Sequence, residues 1–336
     1  MKILLLSHKF YPAVGGIETI SEILANEFVE AGHQVRIVTW SEDESKTIFP
    51  YKIIRRPNLI TLFKQIFWAT IVFENNPCIR LSWPAFIINK PTVIALHTWI
   101  ARSNGKSSIL DKLKLQKLKT AKNVIAISKA IQIGTFKKAI IISNPFKVEM
   151  FKIINKGVKE NDFVFLGRLV SDKGVDIAIE AIYKLNHEGN NFKLTIIGDG
   201  PEKNKLKKQV LDLKLSDNIH FLGNLTGETL VNELCKYKYI LIPSRWKEPF
   251  GVVALEGIAC GCIPIVADGG GLPDAVGNAG IIFKRGDTND LVKKINNLLG
   301  DLKLQEKLKE AADTHLLEHN PKLIAKRYLE ILAASC

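Results

Sequence analysis

Short apolar segments alternate with amphipathic helices along almost the whole chain, and this leaves few folds open to it. One series of such segments begins at Lys2–Leu6, and a second series begins at Phe163–Leu166. Strands that are connected through helices lie parallel, in sheets whose two faces are covered by those helices. The sequence therefore predicts an α/β fold built on two parallel sheets.

An irregular segment separates the two series and predicts the domain boundary. The first series stops at Ser143-Asn144-Pro145-Phe146, and regular structure resumes near Asp162. A chain of 336 residues is long enough for two domains of about 150 residues each. We predict a first domain over 1–144, a linker over 145–161, a second domain over 162–315, and a last helix in 316–336 that packs back on the first domain.

The periodicity also predicts where individual elements lie. In the first domain we expect helices over Ile17–Ala31 and Leu59–Phe73, and strands over Gln34–Thr39, Ile53–Arg55, Cys78–Ser82, Pro91–Leu96 and Asn123–Ile127. In the second domain we expect a helix capped by Ser171 that ends near Asn186, and strands over Lys193–Ile197, Ile219–Leu222, Tyr239–Ile242 and Ile263–Ala267. The loops that follow such strands are where open α/β sheets bind their ligands.

The composition is that of a globular protein without a membrane-spanning segment. Hydrophobic residues make up 46% of the chain and charged residues 24%, and no apolar run reaches the length of about 18 residues that a transmembrane helix needs. Met1–Leu6 leads directly into a strand and not into a signal peptide, so we expect the protein in the cytoplasm. The five cysteines are scattered, which favours reduced packing residues over disulfides or a zinc site.

The net charge of +13 is concentrated in the first half of the chain. Residues 1–150 carry 21 lysines and arginines against 10 acidic residues, whereas residues 151–336 carry 26 against 24. Within Ser107–Lys122, leucines alternate with lysines that include Lys112, Lys114 and Lys117, a pattern that suits the anionic inner face of a membrane. A solvated lysine-rich surface explains the pattern equally well, and no module typical of nucleic-acid binding is evident.

Two candidate binding positions follow strands of the first domain. Gly15 and Gly16 end the loop after the first strand and precede a helix whose N-terminal amides favour an anion, although a tight turn also explains two glycines. His97 follows the strand Pro91–Leu96, at the sheet edge where ligands bind, although a single histidine is often structural.

A loop with two cations follows the first strand of the second domain. Arg168 and Lys173 lie in this loop, and neither has an evident acidic partner in the sequence. The next helix directs the positive end of its dipole toward them. Because cations beside a helix N-terminus suit a diphosphate, we predict an anion-binding loop here.

The second domain also carries two carboxylates, eight residues apart, in an apolar segment. Glu248 precedes a helix, and Glu256 lies inside that helix. A carboxylate in such surroundings costs free energy unless it is hydrogen-bonded. The helix N-terminus offers amides that can hold an anion, those of Phe250, Gly251 and Val252. Carboxylates for sugar hydroxyls beside amides for phosphate predict a sugar-nucleotide site.

These residues together resemble the retaining glycosyltransferases of family 4, which have the GT-B fold of two Rossmann-like domains facing each other across a cleft. The similarity covers nearly the whole chain, with matching segments at Gly15-Gly16-Ile17-Glu18, Gly167-Arg168-Leu169, Lys173-Gly174 and Gly198-Asp199-Gly200-Pro201. It is strongest at Glu248-Pro249-Phe250-Gly251 with Glu256, which looks like the Glu-x7-Glu motif of the family.

The resemblance implies a role for each candidate in the second domain. Glu248 would contact the hydroxyls of the donor sugar, and Glu256 would accept a hydrogen bond from the ribose. Arg168 and Lys173 would bind the diphosphate. The second domain would then hold the nucleotide sugar.

For the first domain, the resemblance implies that Gly15-Gly16 closes over the diphosphate and that His97 meets the sugar near the reacting carbon. No Asp-x-Asp occurs in the sequence, so we expect no metal cofactor and expect the cations to replace it. In similar enzymes the acceptor attacks from the face that the diphosphate leaves, and the leaving phosphate takes the proton.

We therefore expect a retaining, metal-independent glycosyltransferase that acts on a glycan or lipid-linked acceptor in the synthesis of a cell-surface polysaccharide or glycolipid. A UDP-sugar is the favoured donor and GDP-mannose the next. An NAD-dependent oxidoreductase with two Rossmann domains is disfavoured because neither domain has Gly-x-Gly-x-x-Gly after its first strand. A non-catalytic sugar-nucleotide-binding protein is disfavoured by the complete set of donor-site residues.

Overall fold

The strands and helices of the chain fall into two units, as seen in a computed structural model that describes residues 1–13, 15–43, 47–100, 108–154, 159 and 161–336. The first unit comprises Met1–Phe146 and His319–Cys336, and the second comprises Lys147–Glu318. Each unit contains a parallel sheet whose successive strands are connected mainly through helices. The predicted α/β architecture with two parallel sheets is confirmed.

The sheet of the first unit is parallel throughout the residues that are described. Its strands are β1 Lys2–Leu6, β2 Gln34–Thr39, β3 Lys52–Arg55, β4 Ile71–Asn75, β5 Thr92–Leu96, β6 Asn123–Ala126 and β7 Ile140–Ile141. The helices between them are α1 Gly16–Glu30, α2 Leu59–Trp68, α3 Ile79–Ile87, α4 Ile109–Thr120 and α5 Lys129–Thr135. Because the strand order is β3-β2-β1-β4-β5-β6-β7, the winding reverses between β1 and β4, and such a reversal is where ligands bind in open sheets.

The first sheet is buried on both faces, and β1 shows how. Ile3 and Leu5 belong to an apolar cluster with residues of α1, whereas Leu4 and Leu6 belong to a second cluster with residues of α2 and α3. Successive side chains of a strand point to opposite faces, so a strand covered on both sides is apolar throughout.

The second unit repeats the same design with one reversal of its own. Its strands are β8 Asn161–Leu166, β9 Leu194–Ile197, β10 Ile219–Gly223, β11 Tyr237–Ile242, β12 Ile263–Ala267 and β13 Ile281–Phe283. Its helices are α6 Val175–His187, α7 Lys203–Asp212, α8 Gly227–Leu234, α9 Val252–Ala259, α10 Leu272–Val276, α11 Thr288–Gly300 and α12 Leu302–Glu318. The strand order β10-β9-β8-β11-β12-β13 places the reversal between β8 and β11.

Two predicted elements of the first unit are wrong. The predicted helix Leu59–Phe73 ends at Trp68, and its last residues belong to β4. The predicted strand Cys78–Ser82 is instead the start of α3. The apolar pattern runs without interruption through α2 and β4, so it does not mark the junction between them, and α3 starts where the buried Glu74 carboxylate accepts a hydrogen bond from the Cys78 amide at 3.0 Å.

The predicted cap of the helix after Arg168 is also wrong. Ser171 lies in a short 3-10 turn that ends at Lys173, and Gly174 precedes α6 with φ of +68°. This left-handed conformation favours glycine. Of the predicted linker, residues 155–158 and 160 lie outside the described residues.

The last helix, α13 Pro321–Ala334, belongs to the first unit and packs against α1. Tyr328 and Leu332 are fully buried in the cluster that contains Ile3. Within the part of the chain that the structure describes, no helix combines the length and the hydropathy that crossing a bilayer requires.

The packing of α13 predicts that Leu332→Ala lowers the stability of the first unit. The change leaves a cavity in the core, which costs about 2–5 kcal/mol in the free energy of unfolding. Urea unfolding followed by circular dichroism measures the loss. The matched change Lys326→Ala, at an exposed position of the same helix, should stay within about 0.5 kcal/mol, and an equal loss in both variants would contradict the packing.

Candidate functional site

The loops that follow β8 and β11 lie side by side at the reversal of the second sheet. These strands pair in parallel, with Tyr239 opposite Phe163, so their carboxyl ends reach the same sheet edge. A Cβ atom on Gly174 would lie 2.0 Å from the Pro243 carbonyl oxygen. Only glycine therefore allows the two loops to approach this closely.

An ion pair joins the two loops. The Lys173 Nζ atom lies 2.6 Å from the Glu248 Oε1 atom, and the Ser244 hydroxyl donates to the same oxygen at 2.8 Å. Glu248 is buried, and a buried carboxylate needs such partners. The expectation that Lys173 has no acidic partner is therefore wrong.

The segment before Glu248 is fastened to the loop before α6 by further hydrogen bonds. The backbone amides of Arg245 and Trp246 donate to the Asp172 carbonyl oxygen at 2.8 and 3.2 Å. The Arg245 guanidinium forms an ion pair with Asp176 in the first turn of α6. These contacts fix the position of Glu248 relative to Lys173.

Sequence reasoning missed Ser244 and Arg245 as residues that position Glu248. A polar residue at the end of a strand was the signal for His97, and Ser244, two residues after β11, gives a similar signal. Nothing in the sequence pairs Arg245 with Asp176, because they are 69 residues apart.

The glycine loop Gly269-Gly270-Gly271 supports the backbone of Glu248. The Gly271 amide donates to the Glu248 carbonyl oxygen at 2.7 Å, and a Cβ atom on Gly270 would lie 2.0 Å from that oxygen. The glycines are therefore required by backbone packing.

Arg168 lies in the same loop as Lys173 but points to solvent. Its side chain is exposed, and it forms no hydrogen bond or ion pair with any residue that the structure describes. The loop itself is held by the Leu169 amide, which donates to the Asp199 carbonyl oxygen at 2.9 Å. Lys173 is paired with Glu248, whereas the Arg168 guanidinium has no acidic partner within the described part of the chain.

The predicted anion-binding amides lie at the start of α9. Val252 is the first helical residue, and Gly251 precedes it with φ of +125°. A Cβ atom on Gly251 would lie 2.5 Å from the Leu272 side chain, so this position favours glycine both by conformation and by space. The Phe250 side chain is buried beside them.

Glu256 lies in the middle of α9, and no hydrogen bond or ion pair among the described residues joins its carboxylate to Lys173 or Glu248. Burial raises the pKa of the Glu256 carboxyl to about 7, against a smaller opposing effect of Lys147. The structure therefore brings Lys173 and Glu248 into contact, and it places Arg168 in one of their loops and Glu256 on the adjoining helix.

In the first unit, His97 follows β5 and is buried. Its backbone amide donates to the Asn76 Oδ1 atom at 3.2 Å, while its Nε2 atom is buried without a hydrogen-bond partner among the described residues. Burial lowers the pKa of His97 to about 3. The imidazole is therefore neutral at physiological pH and keeps one ring nitrogen available.

Gly15 precedes α1, and Gly16 is its first residue. Gly15 is extended with φ of −177°, a conformation that any residue adopts. A Cβ atom on Gly16 would meet nothing within 4 Å among the described atoms. Neither backbone strain nor a close neighbour explains Gly16.

The described residues contain no group of three or more His, Cys, Asp or Glu side chains that could hold a metal ion. The absence of a metal cofactor stays a prediction.

Comparison with known proteins identifies similar chains. Residues 146–315 match the family model described as glycosyl transferases group 1. The chain is 29% identical to an uncharacterized glycosyltransferase of Methanocaldococcus jannaschii, over 92% of both chains. It is 24% identical to the gpi3 subunit of the phosphatidylinositol N-acetylglucosaminyltransferase of Schizosaccharomyces pombe, over 91% of this chain and 74% of that one.

Solved structures show the same fold. HepE of Anabaena, solved in complex with UDP, has a TM-score of 0.83 at 20% identity, covering 99% of this chain and 100% of its own. The same protein in complex with UDP-glucose has a TM-score of 0.80. The predicted GT-B fold, with two Rossmann-like units, is confirmed.

The raised pKa of Glu256 predicts a pH dependence of stability. The folded-state pKa of about 7 exceeds the ordinary value of 4.5, so between these values the folded state binds more protons than the unfolded state and stability falls as pH rises. Glu256→Gln removes this fall. The variant should melt above the wild type at pH 8 by several degrees, at about 2–4 °C per kcal/mol, and the difference should shrink toward pH 5.

Thermal melts from pH 4.5 to 8 test this prediction, with the melting temperature of the wild type subtracted from that of each variant. The exposed Glu310→Gln serves as the control, and its difference curve should be flat. A flat curve for Glu256→Gln as well would show that Glu256 ionises normally.

Proposed function

The chain belongs to the glycosyl transferases group 1 and is a glycosyltransferase, and we propose that it transfers a hexose with retention from a UDP-sugar to a glycan or lipid-linked acceptor. The Lys173–Glu248 pair at the reversal of the second sheet is the observation that carries this proposal. It places a cation and a carboxylate together at the edge where nucleotides bind in such sheets.

Lys173 and Arg168 would hold the diphosphate. A lysine ammonium has three N–H donors, so Lys173 can keep its bond to Glu248 and still donate to a phosphate oxygen. Arg168 offers a guanidinium without an acidic partner among the described residues, and its geometry suits phosphate. These cations would stabilise the charge that develops on the leaving diphosphate.

Glu248 would bind the donor sugar. Its Oε1 atom accepts from Lys173 and Ser244, whereas Oε2 has no partner within the described part of the chain and can accept from a sugar hydroxyl. The fixed position of the carboxylate means that little ordering is needed when the sugar binds. Glu256 would accept from the ribose, beside the amides of Phe250, Gly251 and Val252.

The first unit would supply Gly15, Gly16 and His97. The open space around Gly16 allows a ligand to approach its backbone. The neutral imidazole of His97, with a buried Nε2 atom that lacks a partner among the described residues, suits a hydrogen bond to a sugar. The acceptor would attack from the face that the diphosphate leaves, with the departing phosphate taking the proton, so no protein base is obligatory.

The proposed donor rests on relatives. HepE of Anabaena binds UDP and UDP-glucose in its solved structures, and the Schizosaccharomyces pombe relative is named an N-acetylglucosaminyltransferase. Both support a UDP-hexose as the donor, with GDP-mannose as the next candidate. We keep the proposal that no metal is required.

The donor proposal predicts that Glu248→Ala and Lys173→Ala lose donor turnover. Removal of a group that stabilises the reacting charge lowers turnover by about 100-fold or more. A thermal-shift panel of UDP, GDP, ADP and their sugar conjugates first selects the donor, and nucleotide release from that donor then measures turnover. Turnover should survive EDTA.

The control is Lys238→Ala, which breaks the Lys238–Asp162 pair of 3.2 Å that joins β8 and β11 at their opposite ends. It should keep turnover near the wild-type value. Unchanged turnover in Glu248→Ala and Lys173→Ala would exclude the proposed site. Binding of NAD instead of nucleotide sugars would indicate the oxidoreductase alternative, and binding without turnover would indicate the non-catalytic one.

We also propose that the first unit contacts an anionic membrane through α2 and α3. The Phe63 ring packs on Phe67 and Trp83, with centroid distances of 6.4 and 5.7 Å. Phe86 and Ile87 follow Trp83 at helical spacing and are 65% and 64% exposed. Apolar residues that are exposed singly are common, but a contiguous apolar surface such as this one indicates an interaction site.

The charges around this surface favour a bilayer with anionic lipids. Lys64 on α2 is exposed beside the apolar residues, and Lys112 is exposed on α4. Lys117 is not part of the surface, because it forms an ion pair with the buried Glu74, so the expectation that it faces a membrane is wrong. Arg102 and Lys106 lie outside the described residues.

The membrane proposal predicts that Phe86→Asn with Ile87→Asn weakens binding to vesicles that contain phosphatidylglycerol. Each lost apolar side chain removes about 1.5–3 kcal/mol of burial, so binding should fall by at least about tenfold. Vesicle co-sedimentation at low and high salt measures it. Leu211→Asn, at an equally exposed apolar position of the second unit, is the control, and equal effects or salt-insensitive binding would contradict the proposal.

A further inference from the structure

We propose that the first unit binds a phosphate group of the acceptor at the carboxyl edge of β1 and β4, through His8, Lys9, Arg80 and Lys114. This inference rests on the proposed function, because it assigns a chemical class to the acceptor of that reaction. None of these residues belongs to the donor site described above.

The topology places these residues at the reversal of the first sheet. β1 and β4 pair in parallel, with Leu6 opposite Glu74, and the strand order reverses between them. The loops after both strands therefore meet at the position where open α/β sheets bind ligands. It is the equivalent of the position that Lys173 and Glu248 occupy in the second sheet.

A side-chain contact shows that the two loops meet. The His8 Nδ1 atom lies 3.9 Å from the Cys78 Sγ atom, so the second residue after β1 contacts the residue before α3. Arg80 lies in the first turn of α3, two residues after Cys78, and is exposed. Lys9 is exposed next to His8.

The buried acid of this region is already neutralised. Glu74 forms an ion pair with Lys117 of α4, and it accepts from the Cys78 amide at 3.0 Å. Lys114 lies one turn before Lys117, on the same side of the helix. Lys9, Arg80 and Lys114 therefore remain without an acidic partner among the described residues.

The electrostatics around His8 agree with this grouping. The pKa of His8 is lowered, first by burial and then by the positive charges of Arg80, Lys9 and Lys114. Residues from the β1 loop, α3 and α4 thus act on one imidazole. Cations gathered in this way repel one another, and an anion between them removes the repulsion.

The β1 loop is held in place, as a binding site requires. The His8 carbonyl oxygen accepts from the Trp40 amide at 3.2 Å and from the Thr39 hydroxyl at 3.3 Å. The Ser7 hydroxyl donates to the Lys9 carbonyl oxygen at 2.6 Å.

The loop borders a cavity of about 450 Å³ whose lining includes His8, Lys9 and Trp40. The acid in that lining, Glu42, forms an ion pair with Arg56. Of the proposed site, His8 and Lys9 line this cavity, so its volume is available to a ligand that these two residues bind.

A phosphate fits this set of donors better than a neutral sugar. Guanidinium and ammonium groups bind phosphate oxygens through charge-assisted hydrogen bonds, which are about twice as strong as neutral ones. Donors that come from separate elements suit a group with several oxygens around one centre. An acceptor with a phosphate, in a lipid headgroup or in a soluble phosphorylated glycan, has this chemistry.

The test compares two double variants that lose the same charge. Arg80→Gln with Lys114→Gln removes two cations of the site, whereas Lys52→Gln with Lys122→Gln removes two exposed cations at the opposite edge of the same sheet. Calorimetric titration with glycerol 3-phosphate, in saturating UDP to occupy the donor site, measures binding. We expect the first pair to weaken binding by about tenfold or more, the second pair to leave it unchanged, and glycerol itself not to bind.

Vesicles distinguish the two sources of the phosphate. Where it is a lipid headgroup, the Arg80 and Lys114 variant loses binding to phosphatidylglycerol vesicles relative to the Lys52 and Lys122 variant. Where it belongs to a soluble acceptor, only the titration with glycerol 3-phosphate changes. Either outcome supports the site. If the double variant does not fold, the single change Lys9→Gln at an exposed position should also weaken the binding of glycerol 3-phosphate.

Equal weakening by both double variants, or equal binding of glycerol and glycerol 3-phosphate by the wild type, would overturn the inference. Failure of the proposed function is seen separately, as wild-type protein that binds no nucleotide sugar in the thermal-shift panel. If the wild-type protein binds and turns over a donor but binds glycerol and glycerol 3-phosphate equally, only the phosphate site is rejected.

Discussion

The ion pair between Lys173 and Glu248 is the interaction on which the second unit's site depends. A buried carboxylate needs polar or charged partners, and for Glu248 these are Lys173 from the loop after β8 and Ser244 from the loop after β11. Glycines at positions 174 and 270 allow the backbones to approach closely enough for this contact. Removal of one partner would leave an uncompensated buried charge, so the loop geometry and the binding groups are specified together.

The same physical rule operates in both sheets, with different consequences. In each unit the winding reverses once between two central strands, and ligands bind at such a reversal in open sheets. In the second unit this edge holds a carboxylate that is paired with a cation. In the first unit the buried Glu74 forms an ion pair with Lys117. The neighbouring cations therefore determine the electrostatic potential at that edge of the sheet. Separate edges of this kind allow one chain to bind two substrates of different chemistry.

Sequence periodicity predicted most strands and failed at identifiable places. It identified β1, β2, β5 and β12 because their apolar runs are bounded by polar loops. It failed at the junction of α2 and β4, where apolar residues continue across the boundary, and it overlooked β7 and β13, which at two and three residues are too short for a period. The sequence was sufficient to name the candidate residues of the donor site. It did not predict the contact between Lys173 and Glu248, because that contact depends on which strands are neighbours in the sheet.

The charge states of His97 and Glu256 could not be predicted from the sequence either. The charge of Glu256 affects how strongly the second unit attracts an anionic donor. Burial holds His97 neutral and raises the pKa of Glu256 to about 7, so near neutral pH the imidazole is uncharged and the Glu256 carboxyl is only partly ionised. A fully ionised Glu256 would repel a diphosphate that approaches the second unit. With Glu256 only partly ionised, Arg168 can attract an anionic donor with less opposition, and His97 and Glu256 can take hydrogen-bonding roles that require no full charge.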